Sequence, residues 1–197
     1  MAEPDLRGLG RGSPVKVRVL PDVVLGTAIF IAVEMMLFAG FISAHTIIKA
    51  AYPPGAWPPP GQPRLPVEVT AFTTTMLLAS GLTLWRAGGR FAKDPSGAKP
   101  MLAWAMALGL AFVGVQGVEW VRLISEGLTM RSSTFGSFFY LIVGAHALHA
   151  VPALVLLGWA FSGLRRGALP ADAFAAVRLF WYFVVLVWPV LYVLVYL

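Results

Sequence analysis

A chain of 197 residues that is 58% hydrophobic, 12% charged and 13% aromatic, with a mean hydropathy of +0.78, is too apolar for a water-soluble domain and reads as an integral membrane protein. Its formal charge of +6 comes from bases scattered between apolar runs, not gathered on one aromatic-studded patch, which argues against a nucleic-acid surface. The absence of cysteine excludes disulfides, thioether-linked haem and thiolate metal sites, leaving His, Asp and Glu as ligand types.

A hydrocarbon core of about 30 Å needs roughly 20 apolar residues in a helix, and five segments meet that length. Residues 1–22 form a basic N-terminal segment, and residues 23–197 a five-helix transmembrane domain. The fold class is therefore all-α, a polytopic bundle. The first span, about Val23 to Ile48, is too long for the apolar region of a cleaved signal. It carries Glu34 near its centre. A carboxylate there costs about 3 kcal/mol on the insertion scale against about 0.3–0.6 kcal/mol returned by each Leu-like residue, so the span still inserts and Glu34 turns toward other helices or a polar cleft. Three roles stay open for it: a protonated acid bonded to a neighbouring helix, a proton relay, or a contact with lipid headgroups or a partner subunit.

The Pro- and Gly-rich stretch YPPGAWPPPGQPRLP reads as a loop before the second span, about Val67 to Ala87, and RAGGRFAKDPSGAKP as a loop after it. The third span, about Met101 to Val121, places Gln116 and Glu119 on one face, with Gly114 and Gly117 beside them to admit a close neighbour. The fourth, about Thr134 to Phe161, repeats that spacing with His146 and His149, whose imidazoles are expected to face the same way. A zinc would need at least a third protein ligand, and a bis-imidazole haem needs histidines on opposite sides of the ring. His45, the one other histidine, sits at the far end of the first span. No metal site is expected, and the pair is assigned to interhelical hydrogen bonds, most simply with Glu119.

The loop SGLRRGALPAD leads to the fifth span, about Phe174 to Leu197. Pro152 and Pro189 are expected to bend their helices by freeing the carbonyls of Leu148 and Val185, the former within reach of His149 or a water. Lys49, Arg64, Arg122 and Arg131 fall on one side of the membrane and the other eleven of the 15 bases on the side of the N-terminus, which predicts a cytoplasmic N-terminus and an external C-terminus. No inverted halves suggest a small independent transporter, the alternative from another class. No catalytic motif is present, so no catalytic residue is assigned.

Six motifs in order carry a family resemblance: FIAVEMMLFAGF around Glu34, AWPPPG at 56–61, TTTMLLASG at 73–81, QGVEW at 116–120, FGSFFYLIVGAHALHA at 135–150 and FWYFVVLVWPVLYVLVY at 180–196. Together they resemble subunit III of the haem-copper terminal oxidases, the cytochrome c and quinol oxidases, in its short five-helix bacterial form. The chain departs from that pattern where the family usually has His and Asp in the last helix and this sequence has Tyr182 and Val185, and where Ala replaces the residue after each histidine. The resemblance implies a non-catalytic subunit in the bacterial cytoplasmic membrane that packs on catalytic subunit I and other oxidase subunits. It implies haem and copper in those partners and none on this chain, phospholipid in a cleft, protection against turnover-linked inactivation, and support of proton uptake. It also places the family's carbodiimide-reactive acid at Glu34. The subunit-III-like companion of a nitric oxide reductase is the alternative within the same superfamily.

Overall fold

In the computed structural model, the structure describes residues 21–197, so most of the expected N-terminal segment, with Arg7, Arg11, Lys16 and Arg18, lies outside the described residues. Five helices follow: α1 (Asp22–Ala50), α2 (Val67–Phe91), α3 (Pro95–Ser125), α4 (Thr134–Arg165) and α5 (Ala171–Tyr196). All five are long and apolar enough to cross a membrane, and each expected span lies within one of them or within a residue of its end. The chain is a multi-pass all-α membrane protein.

The expected loop between the second and third spans is corrected by the structure. Helix α2 continues to Phe91 and α3 already begins at Pro95, leaving only residues 92–94 between them. Pro95 stands at the first helical position, where its missing N–H costs nothing, while Pro100, five residues on, is carried inside the helix. The Gly97 N–H and the Ser96 hydroxyl, 2.8 Å from Oδ1, hold the Asp94 carboxyl below the usual carboxylate range at this junction. The short connection makes α2 and α3 an antiparallel hairpin, and the two pack along each other.

Helix α5 is the centre of the bundle, packing on α1, α2 and α4. Trp181 and Trp188, both essentially buried, fix it to its neighbours. The Trp181 Nε1–H donates to Ser80 Oγ at 3.1 Å, and that hydroxyl donates onward to the Ala105 carbonyl of α3 at 2.7 Å. Two turns further along α5, Trp188 donates to Thr74 Oγ1 at 2.9 Å while its ring meets Phe112 and His146 with centroids 5.0 and 4.8 Å away. Tyr192 then reaches the Val67 carbonyl at 3.2 Å.

Helix α1 packs differently. Its backbone approaches α4 and α5 but neither α2 nor α3. Its buried residues are Ile31, Phe38 and His45, seven apart, and Glu34 and Phe41 fill the half-buried positions between them. This is a seam of alternating three- and four-residue steps, the narrow contact line of a coiled coil. The other faces of α1 expose Ile29, Val33, Met36 and Ile47. Loop 51–66 folds back over its outer end, where the Trp57 ring meets His45 and Phe135 at centroid distances of 5.6 Å.

Gly114 and Gly117, expected to admit a close neighbour, have nothing within 4 Å of the place a Cβ would take. The close approach is at Gly109, where a Cβ would stand 2.7 Å from the Trp181 ring and 2.9 Å from a Leu154 methyl. Gly109→Ala is expected to destabilise the bundle by about 1–3 kcal/mol through overpacking, and Gly114→Ala to stay within about 0.5 kcal/mol of the parent. Thermal unfolding of the two variants in the same detergent checks the contrast, and equal effects would contradict the packing described.

Candidate functional site

The side chains singled out by their polarity fall into three places, all built by the packing of α3, α4 and α5 with their neighbours. At the first, between α1, α4 and α5, Glu34 Oε2 lies 3.0 Å from His149 Nε2, both side chains being largely buried. The approach is bent rather than in line with an Nε2–H. The other ring nitrogen, Nδ1, is 2.7 Å from the Ala145 carbonyl one turn back in α4. A carbonyl only accepts, so Nδ1 carries a hydrogen. Glu34 is thus the polar side chain that α1 brings against His149 of α4.

Phenylalanines enclose this pair. The His149 ring has Phe38 at 5.6 Å, Phe183 at 6.0 Å, and Phe30 and Phe180 at 6.4 Å between centroids. Glu34 reaches the pair because it occupies the seam of α1, between Ile31 and Phe38. Beside it runs an apolar cleft of about 870 Å³ lined by Phe30, Leu148, His149, Pro152, Trp159 and Phe180.

The second place is a pocket of about 200 Å³ between α3 and α4, closed below by α5, to which Gln116, Trp120, His146 and Trp188 contribute. His146 lies here, not with His149, so the expectation that both imidazoles face the same way is corrected. Residues at i and i+3 differ by about 60° around the helix, and in α4 that angle divides them between two grooves. The third place is a polar pocket of about 730 Å³ at the end of the bundle where α1 leads into residues 51–66, and there Glu119 stands among Lys49, Arg64, Glu68, Arg122 and Glu126.

Glu119 is consequently not the partner of either histidine, and Glu34 takes that place for His149. The reason is direction. Helices α3 and α4 run antiparallel, and Gln116 and His146 line the same pocket. Glu119 lies a turn outward from Gln116 while His149 lies a turn inward from His146, which separates them by about 9 Å along the axis at 1.5 Å per residue. The expected use of the Leu148 carbonyl by His149 is also corrected, since its Nδ1 takes the Ala145 carbonyl. Both α4 and α5 remain helical across Pro152 and Pro189. Among the described residues no group of three His, Asp or Glu could hold a metal ion.

Spacing did not single out Trp120, Trp188 or the phenylalanines. An indole in an apolar span carries one N–H that needs an acceptor, which is the signal that would have found both tryptophans.

A family model described as cytochrome c oxidase subunit III matches residues 13–197. The chain belongs to the cytochrome c oxidase subunit III family. It is 32% identical over 183 residues to a probable cytochrome c oxidase subunit 3 of Nocardia farcinica, covering 89% of this chain and 88% of that one. It is 33% identical over 189 residues to a protein of the same description from Mycobacterium tuberculosis, with the same two coverages. A cytochrome c oxidase subunit 3 of Synechocystis is 31% identical over 186 residues, covering 90% of this chain and 76% of the relative. Subunit III implies a complex with the catalytic subunit I of the oxidase.

Within this subunit III fold, the two departures in the last helix have their own packing. Val185 is buried and lies against Gly81 of α2, with a methyl 3.0 Å from the place of a glycine Cβ. Tyr182 accepts from Arg178 Nε at 3.3 Å, and the Arg178 guanidinium lies over the rings of Phe174 and Tyr182 and against Gly88. An aliphatic and a phenol thus stand where the family usually has two polar groups, Val185 packed on α2 and Tyr182 bonded to Arg178.

If Glu34 and His149 interact as the geometry requires, Glu34→Leu and His149→Phe will not be additive. A double-mutant cycle on the purified chain, followed by thermal unfolding, is expected to give a coupling of about 0.6–2 kcal/mol. Strict additivity would show that the two side chains act independently.

Proposed function

We propose that this chain is a non-catalytic subunit of a bacterial aerobic terminal oxidase, packing on the haem- and copper-bearing subunit I in the cytoplasmic membrane. It holds phospholipid in the cleft between α1, α4 and α5, protects the oxidase during turnover and supports proton uptake. The observation that carries this reading is the Glu34–His149 pair at the edge of that cleft. Its imidazole lines the cleft wall. A lipid chain seated between Phe30, Leu148 and Trp159 would lie against it. The exposed apolar faces of α1 favour lipid or a neighbouring subunit as their covering.

Haem and copper are expected in the partner subunits alone. An oxidase complex stripped of this chain should keep its haem spectrum and its initial oxygen consumption, then lose activity several-fold faster over repeated turnovers and take up protons more slowly. Glu34→Ala in the intact complex should reproduce part of that loss. Haem absorbance that follows this chain through purification, or a stripped complex equal to the intact one in lifetime and proton uptake, would overturn the proposal.

The division of bases supports a cytoplasmic N-terminus and an external Leu197. The chain has no native cysteine. Ala92→Cys and Met130→Cys, both at exposed positions between helices, should therefore label singly from the inside and the outside of intact cells, respectively. Outside labelling of both would refute this orientation.

A further inference from the structure

We propose that the pocket between α3, α4 and α5 is a hydration site, in which ordered water bridges His146, Gln116 and Trp120. His146 is 2% exposed and Gln116 7%, so both are removed from bulk solvent as well as from lipid. His146 Nε2, both atoms of the Gln116 amide and Trp120 Nε1 have no hydrogen-bond partner among the described residues. All three side chains line one pocket of about 200 Å³.

The chemistry of these atoms selects the ligand. The amide offers an acceptor and a donor, the indole a donor, and the imidazole nitrogen either function according to its tautomer. A mixed set of that kind suits a molecule that both donates and accepts. Water needs two to four polar partners and occupies roughly 30 Å³ in the liquid, so the pocket has room for several. The energies point the same way. Leaving two buried polar groups unmatched costs more than immobilising one water, so a water that satisfies two of these atoms is already favourable. An acyl chain could fill the volume but would satisfy none of them. The polar atoms are recessed in walls otherwise made by Phe112, Val113, Val143 and Trp188. The terminal torsion of a glutamine is soft, which lets the Gln116 amide turn toward a water.

This site is separate from the Glu34–His149 pair and does not depend on the function proposed for it. It accounts for why α3 and α4 carry polar side chains at the same depth without bonding each other directly: water completes the contact.

The test is a high-resolution structure of the intact oxidase complex containing this chain, in its native form and with Gln116→Leu. Two or more compact densities within hydrogen-bonding distance of His146 Nε2 and Gln116 are expected in the native complex, and their loss or displacement in the variant. Gln116→Met, closer in shape, replaces the variant if the leucine form does not assemble, and the native densities are decisive on their own if neither does. An elongated density continuous with the bilayer, a Gln116 amide bonded straight to His146 with nothing between, or densities that persist unchanged in the variant would overturn the proposal.

Discussion

Two indole N–H groups on α5 set the arrangement of the other helices. Nothing in the interior of a bilayer accepts a hydrogen bond except protein or trapped water, so Trp181 and Trp188 have to be placed opposite acceptors. Ser80 and Thr74 of α2 provide them. Because the two tryptophans are seven residues apart, both lie on one face of α5, and meeting both hydroxyls at once fixes the antiparallel register of α2 against α5. The Ser80 hydroxyl passes the constraint to α3 through the Ala105 carbonyl, and Gly109 leaves the space that the Trp181 ring needs there. Three helices are thereby located by a few hydrogen bonds and one missing methyl, with apolar packing filling the rest.

From that frame the polar side chains sort themselves by direction. Helix α4 has α3 on one flank and α1 with α5 on the other, so a 60° step around its axis is enough to send His146 and His149 to different neighbours. The aromatic surroundings of His149 make the setting apolar, and Glu34 is the polar side chain that α1 brings to it. At the end of the bundle where α1 leads into residues 51–66 the setting is polar: Glu119, Glu68 and Glu126 stand near Lys49, Arg64 and Arg122 where water can reach them.

Much of this was written in the sequence. Five apolar runs of sufficient length gave five helices, because a bilayer leaves the backbone few alternatives. Glu34 could be placed toward the bundle for the same reason. The connection at residues 92–94 was hidden because Pro and Gly signal a break only on average, and Pro95 stands where a helix begins, not where one ends. Glu119 was paired with the wrong element because spacing within one helix says which side chains share a face and nothing about which level of the next helix they meet. Glycines mark close approach only when a bulky group stands opposite, which is true of Gly109 and untrue of Gly114.

The one-sided docking of α1 bears on how the chain is made. Among the helices described, its seam of Ile31, Glu34, Phe38, Phe41 and His45 packs only on α4 and α5, both of which follow it in the chain. Helix α1 therefore enters the bilayer before either partner helix, its acid without its imidazole until His149 has been translated. Its average hydrophobicity must be high enough to hold it there unaided, and it is, with only one acidic residue in its interior. The helix with the fewest native contacts is thus the one that has to be most self-sufficient during biogenesis, and the pairing of Glu34 with His149 marks the moment at which the first and the fourth membrane passages become one protein.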